Sequence, residues 1–414
     1  MITYEKLSTK TTVDTKKITN FIWYVSILLF SSNFFGLSEF LLYLFIFVGL
    51  FHAYINKSRF RISKELLVVF LFTISYTIIS SHYANNLQAS FILYFVYPFS
   101  AYFIGSLVVN FNNFKLYTNT IICLSLGLFF HGILNVYFYV KNGNHFLEVR
   151  VIRDYWEGFD LAATLQGSYF TLIISLLLLS VTKIIDNKII KTIIIISIFF
   201  SIISSFYIGN RTLIMICIIV FFTNIILFSK EIKLGYKSVI KFLILLCSII
   251  FFVYFIIEFD IFSIKTIVES TNLYSRINEI SIIDDPRINI YTEFARQFYK
   301  YPFGGKEMIL SLAYAHNMWL DIYHVAGFVP FILLIILNIM IVKNVIFIYK
   351  SSKINTQIKI LAITTLMSLS LNFMVEPIME GIPFLFSIFM LINGMNKKIK
   401  DVIKEKENES IMDR

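Results

Sequence analysis

Charged residues are scarce in this chain: Asp, Glu, Lys and Arg make up 15% of its 414 residues, where a soluble domain carries about a quarter. Hydrophobic residues reach 57% and the mean hydropathy is +0.76. A soluble fold could not cover that much apolar surface, and disorder is excluded for the same reason. Cysteine is also sparse. Cys123, Cys217 and Cys247 lie singly in apolar runs without pairing or metal-ligand spacing, so they read as small core residues. Several motifs are missing as well. Gly304-Gly305-Lys306 lacks the upstream glycine of a Walker A loop and is followed by Glu307, and there is no HExxH, CxxC or DxD. Cytoplasmic ATP and metal-held nucleotide sugars are therefore not indicated as drivers of chemistry. Nor do the apolar runs carry Asp, Glu, Lys or Arg at their centres. His52 and His131 sit there and read as packed or hydrogen-bonded core groups. Ion-coupled carriers place ionisable groups at that depth, so a carrier is disfavoured.

What is present is a series of apolar runs near 20–37, 39–55, 66–81, 91–111, 118–140, 166–182, 190–208, 212–229, 240–258, 325–342, 357–375 and 381–395. Each approaches the roughly 20 residues a spanning helix needs. The expected fold is an all-α polytopic membrane protein of about 12 spans, with hairpin turns at Ser38-Glu39 and Gly209-Asn210-Arg211. Lys16 and Lys17 precede the first run, and no small-residue cleavage site follows it, so no cleavable signal peptide is evident. With the N-terminus placed in the cytoplasm, 26 of the 36 basic residues fall inside and 16 of the 26 acidic residues fall outside. That bias is the positive-inside rule. The net +10 thus reports sidedness rather than a nucleic-acid partner.

The organisation that follows starts with a cytoplasmic segment at 1–19 and a membrane domain over 20–258, interrupted by an external loop at 141–165. A large extracytoplasmic loop at 259–315, a second membrane part at 316–396 and a cytoplasmic tail at 397–414 complete it. Loops of such length are usually functional. Within the larger one, Asp285-Pro286 marks a helix start. Ile288, Tyr291, Phe294, Phe298 and Tyr301 then recur as an amphipathic stripe, with Arg287, Glu293, Arg296 and Lys300 on the other side. Those basic groups face either a polar cavity or plain solvent.

Polar groups collect at the external ends of the spans. Arg211, in the turn between two runs, can grip a phosphate bidentately, although an arginine at a helix end also simply snorkels. His316 and Asn317 follow the large loop. On a helix His316, Leu320 and His324 share one face, which puts His316 near the external rim as a functional or a structural histidine. Glu376 and Glu380 bracket Pro377 in the last external loop, as loop carboxylates or as members of the same anion-binding site.

Three stretches carry a resemblance. Gly209-Asn-Arg-Thr212 opening a helix, Arg287-Ile-Asn-Ile-Tyr-Thr-Glu-Phe294 followed by Tyr301-Pro-Phe-Gly-Gly305, and Ala315-His-Asn-Met-Trp-Leu-Asp-Ile-Tyr-His-Val-Ala-Gly-Phe328 are similar, in that order, to motifs of one family. It is the bacterial O-antigen polymerase and O-antigen ligase superfamily, and the chain resembles its O-antigen and capsular polysaccharide polymerases. Asn210 stands where that family's turn usually has Ser. The resemblance implies a glycosyltransferase acting on a polyprenyl-diphosphate-linked glycan at the outer face of the cytoplasmic membrane. No cofactor and no metal are implied. A second lipid-linked repeat is the acceptor in a polymerase, and a lipid or wall sugar is the acceptor in a ligase. A flippase of the same glycan is the alternative from another class. By the resemblance Arg211 and Arg287, with Arg296 beside them, bind the diphosphate, and His316 assists at the reacting centre. Glu293 and Glu376 stand behind it as bases, and Tyr291 and Asn317 line the acceptor side. Membrane lipids and a chain-length regulator are the implied partners.

Overall fold

The computed structural model describes residues 2–58, 61–84, 87–109, 114–141, 151–181, 185, 187–229 and 286–412. A chain this apolar can hide its backbone polar groups from lipid only by pairing them internally, and helices do so within each segment. In chain order the helices are α1 (Ile2–Ser31), α2 (Ser38–Ile55), α3 (Lys64–Ala84), α4 (Leu87–Phe91), α5 (Tyr97–Val108) and α6 (Phe114–Lys141). A π turn at Ile92–Val96 joins α4 to α5. After α6 comes a hairpin of two short antiparallel strands, β1 (Val151–Arg153) and β2 (Asp160–Ala162), with Ile152 opposite Leu161. Then follow α7 (Ala163–Ser168), α8 (Thr171–Ile174), α9 (Leu177–Val181), α10 (Lys188–Ile208) and α11 (Arg211–Phe228). The remaining elements are α12 (Pro286–Gln297), α13 (Met318–Ala326), α14 (Phe328–Lys350), α15 (Thr356–Phe373), α16 (Ile378–Gly381) and α17 (Pro383–Met412).

Among the described residues, seven helices are long and apolar enough to cross a membrane: Ser38–Ile55, Lys64–Tyr83, Gln88–Val108, Phe114–Lys141, Lys188–Ile208, Arg211–Phe228 and Phe328–Lys350. The expected runs 20–37, 357–375 and 381–395 fall on α1, α15 and α17. Run 166–182 departs from a single span and is broken into α7, α8 and α9. Run 240–258 lies outside the described residues. The first turn also differs from expectation. It occupies 32–37, before the expected Ser38-Glu39 joint, because Asn33, Phe35 and Gly36 all take positive φ and end the helix there.

Successive long helices reverse direction, so their connections gather at two ends. At one end Arg61 pairs with Glu405, Lys397 lies 3.8 Å from Glu65, and Lys400 donates to Asn344 Oδ1 at 2.7 Å. Lys57, Lys64, Lys350 and Lys353 belong to the connections of the same end. The opposite end carries the β hairpin, the Gly209-Asn210 turn, the 286–327 segment and the 374–382 loop. In the core, α5 and α17 touch backbone to backbone. A Cβ on Gly105 would stand 2.3 Å from the Leu391 carbonyl oxygen, and one on Gly394 2.2 Å from that of Tyr102. Such close approach is what small residues permit between membrane helices.

Candidate functional site

The two glycine-bearing motifs meet at the end opposite the basic one. Pro302–Lys306 lies along the C-terminal turn of α13. Phe328 N donates to Pro302 O at 2.8 Å, Gly305 N to Val325 O at 2.9 Å, and Lys306 N to His324 O at 2.9 Å. Gly304 and Gly327 make this approach possible with φ of +77° and +76°. A small apolar cluster of Phe294, Met308 and Tyr323, flanked by Leu320 and Phe331, fastens α12 over this joint.

α12 begins at Pro286, and Arg287 sits in its first turn, with its side chain outside the described residues. The buried side of α12 is set by Ile290 and Phe294, whereas Tyr291 and Phe298 of the expected stripe are more than a third exposed. The helix tightens to a 3-10 turn at Phe298, which rotates the later stripe positions out of register. Glu293 Oε2 accepts from Ser311 N at 2.8 Å, and Gln297 Nε2 donates to Ile309 O at 3.0 Å. Glu293 is thus a strut for the following loop. Arg296 is exposed.

His316 precedes α13 rather than sharing its face. Asn317 is the N-cap, accepting from Trp319 N and Leu320 N, and His316 takes φ +52° in the turn before it. The face of α13 therefore does not extend to His316. The turn is held by Asp321, which is buried and accepts from Ala315 N at 2.6 Å and Asn317 N at 3.2 Å. Burial raises the Asp321 carboxyl to about 7, and the nearby Glu380 charge adds to this against the two N–H donors and Lys306. A raised acid pKa means that the folded state holds the proton more tightly than the unfolded one, so stability falls as pH rises between the two values. The melting midpoint of the wild type, relative to that of Asp321→Asn, should fall from about pH 4 to about pH 7 and level off above. A flat difference across that window would count against the buried acid.

Asn317 Nδ2 and Tyr291 Oη both donate to Met374 O, at 3.2 and 3.5 Å. This ties the expected acceptor-side pair to the 374–382 loop. Glu376, in that loop, is fully buried, and Glu380 forms an ion pair with Lys306. An open groove of about 390 Å³ lies between Tyr291, Asn317, Trp319, Phe331, Ile335 and Met374, and runs from this polar joint onto α14.

Arg211 is half-buried at the first position of α11. Gly209 closes α10 with φ +71°, and Asn210 caps α11 by accepting from Leu213 N. The Asn210 Nδ2 donates to Thr164 O at 3.2 Å. Four residues on from that contact, Ser168 and Asn372 hydrogen-bond at 2.9 Å, two residues before Met374. The Arg211 turn is therefore joined to the Asn317–Tyr291 joint through α7 and α15.

One network escaped sequence reasoning. His131 Nε2 donates to Asp154 Oδ2 at 2.8 Å, and both side chains are buried. Asn135 donates to Gln166 Oε1 at 3.0 Å, and Gln166 donates to Gly132 O at 2.8 Å. Burial pushes the Asp154 carboxyl up, but the His131 hydrogen bond and charge and the Trp156 and Glu157 N–H groups outweigh it and hold it below its ordinary value. The sequence signal was slight: a histidine, an asparagine and a glycine on one face of a membrane run, at His131, Asn135 and Gly132. No protein-family model matches the chain, and no curated protein is similar to it.

Proposed function

We propose that this chain is a polymerase that joins polyprenyl-diphosphate-linked oligosaccharide repeats into a surface polysaccharide, capsule or O-antigen. In this reading it works at the outer face of a bacterial cytoplasmic membrane, spans that membrane about twelve times and keeps both termini in the cytoplasm. The observation that carries the reading is the groove headed by Tyr291 and Asn317, which continues over the apolar Phe331 and Ile335 of α14. A substrate with a sugar-diphosphate head and a long hydrocarbon tail suits a site that is polar at the helix ends and apolar along the membrane.

The chemistry asked of the residues is modest. Diphosphate departure develops negative charge, and guanidinium groups at Arg211 and Arg287 would stabilise it. Arg296, exposed on α12, adds positive charge to the same rim. The acceptor hydroxyl must lose a proton as the new bond forms, and His316 takes it, with Glu376 as the reserve. Displacement in one step inverts the anomeric centre, and the scheme draws on no metal.

Each of Arg211→Ala, Arg287→Ala and His316→Ala should leave the protein inserted while slowing chain extension by about 10²-fold or more. Gel analysis of the lipid-linked glycan then shows single repeats in place of long chains. Long chains from all three variants would sink the proposal. Accumulated long lipid-linked polymer would point to a ligase instead. Donor supplied outside reconstituted liposomes that is moved but not consumed would point to a flippase.

A further inference from the structure

A separate, partly open cavity of about 280 Å³ lies behind the 374–382 loop. Its walls combine two chemistries. Tyr94, Tyr97, Phe159, Tyr169 and Phe384 present aromatic rings, while Asn33, Glu157 and Glu380 supply oxygen acceptors. Two of those acceptors are unanswered. Glu380 Oε1 is taken by Lys306, but Glu380 Oε2 is buried without a hydrogen-bond partner among the described residues. Asn33 Nδ2 donates to Glu157 Oε1 at 2.6 Å, which fixes the amide's orientation and leaves Asn33 Oδ1 buried without a donor among the described residues.

Buried acceptors cost free energy unless a donor reaches them. The donor that fits here must also be flat-faced and apolar on its sides, because rings line the rest of the wall. A pyranose has both properties, with equatorial hydroxyls as donors around the rim and C–H groups on its faces. A hydrocarbon chain would fit the rings but strand the two oxygens. We infer that this cavity is a sugar-binding subsite, in which Glu380 and Asn33 accept hydroxyl hydrogen bonds and the aromatic rings cover the faces of one pyranose unit.

The subsite belongs to the same end as the groove. Glu380 lies four residues from Glu376 and is clamped by Lys306 of the Pro302–Lys306 segment. This places a sugar unit beside the 374–382 loop, and its assignment to the growing glycan rests on the polymerase reading. The hairpin that carries Glu157 and Phe159 is positioned by the His131–Asp154 pair.

Saturation-transfer NMR on the full-length protein in lipid nanodiscs tests the inference. The probes are methyl glycosides of glucose, galactose and N-acetylglucosamine, with permethylated methyl glucoside as the form lacking hydroxyl donors. At least one free glycoside should give transfer, and the permethylated one none. Glu380→Gln should weaken that binding about tenfold, as expected for a lost hydrogen bond to a charged acceptor. Leu93→Trp, which adds bulk to the cavity wall while leaving both acceptor residues in the sequence, should abolish it. No transfer from any free glycoside overturns the subsite, as does equal binding to wild type, Glu380→Gln and Leu93→Trp, or equal binding of the permethylated probe. Chain-length analysis of the wild-type product is independent of all these arms. Long chains with no glycoside binding remove the subsite and keep the polymerase, and glycoside binding without polymer formation does the reverse.

Discussion

Asp154→Ala should cost about 3–5 kcal/mol of stability, the range found when one partner of a buried ion pair is removed. Asp154 answers more donors than any sequence pattern suggests. It accepts from His131 Nε2 at 2.8 Å, from Trp156 N and Glu157 N at 3.0 Å each, and distantly from Asn135 at 3.4 Å. Its own N–H donates to Phe159 O at 2.8 Å, so the carboxylate and the backbone together close the 154–159 turn. Without the carboxylate, two backbone N–H groups and a buried imidazole lose their acceptor at once. His131→Leu removes the ring but leaves those N–H bonds, so it should cost less, about 2–3 kcal/mol. The double variant should cost less than the sum of the two singles by about 1–3 kcal/mol, because the second change removes a group the first had already stranded. Denaturation in detergent micelles for the four proteins measures the cycle. Additivity within about 0.5 kcal/mol would show that the pair is not a unit. Because the turn also carries Glu157 and Phe159 into the cavity, glycoside binding should weaken in step with stability.

The pair also shows where sequence reading stops. The seven long apolar helices were legible because apolar runs of spanning length leave few other conformations for a chain beside lipid, whereas the break of run 166–182 was not. The Gly209-Asn210 turn was legible too, since a left-handed glycine followed by an N-capping asparagine is a local signature. What stayed hidden is pairing between distant segments. His131 and Asp154 are 23 residues apart across a loop, and Lys306 and Glu380 are 74 apart. Each of the four residues, taken alone, reads as an ordinary core or loop group. The stripe on α12 failed differently. Phe294 of the expected stripe is buried and Tyr301 packs against its cluster, but Tyr291 and Phe298 are exposed while Ile290, outside the stripe, is covered, so the buried face is turned from the expected one. Asp321 was visible inside its motif, but its role depends on folding back four residues onto the Asn317 amide.

Gly327→Ala should disable the site without removing any polar group from it. Gly327 has φ +76° and ψ −164°, a region essentially closed to residues with a Cβ, where strain of about 1–3 kcal/mol is typical. A Cβ there would also lie 2.4 Å from Pro302 O, and one on Gly304 would lie 2.4 Å from Gly327 N. Both contacts are with backbone, so relief requires the Pro302–Lys306 segment to lift from α13. That movement breaks the Phe328–Pro302, Gly305–Val325 and Lys306–His324 bonds and carries Lys306 away from Glu380. Strain and displacement together should destabilise the joint by about 2–4 kcal/mol. Gly304→Ala should do nearly as much, and the double variant little more than either, because one opening relieves both clashes. Gly158→Ala is the control: its φ is +72°, but the nearest atom to a new Cβ lies 3.5 Å away, so only the left-handed strain of about 1–2 kcal/mol remains. The measurement is paired. Limited proteolysis within 298–315 should accelerate in the Gly304 and Gly327 variants and not in Gly158→Ala, and long-chain product should disappear from the same two. If the two motif variants were as resistant to protease as the control, the backbone-to-backbone joint would not be what holds His316 and Asn317 in place.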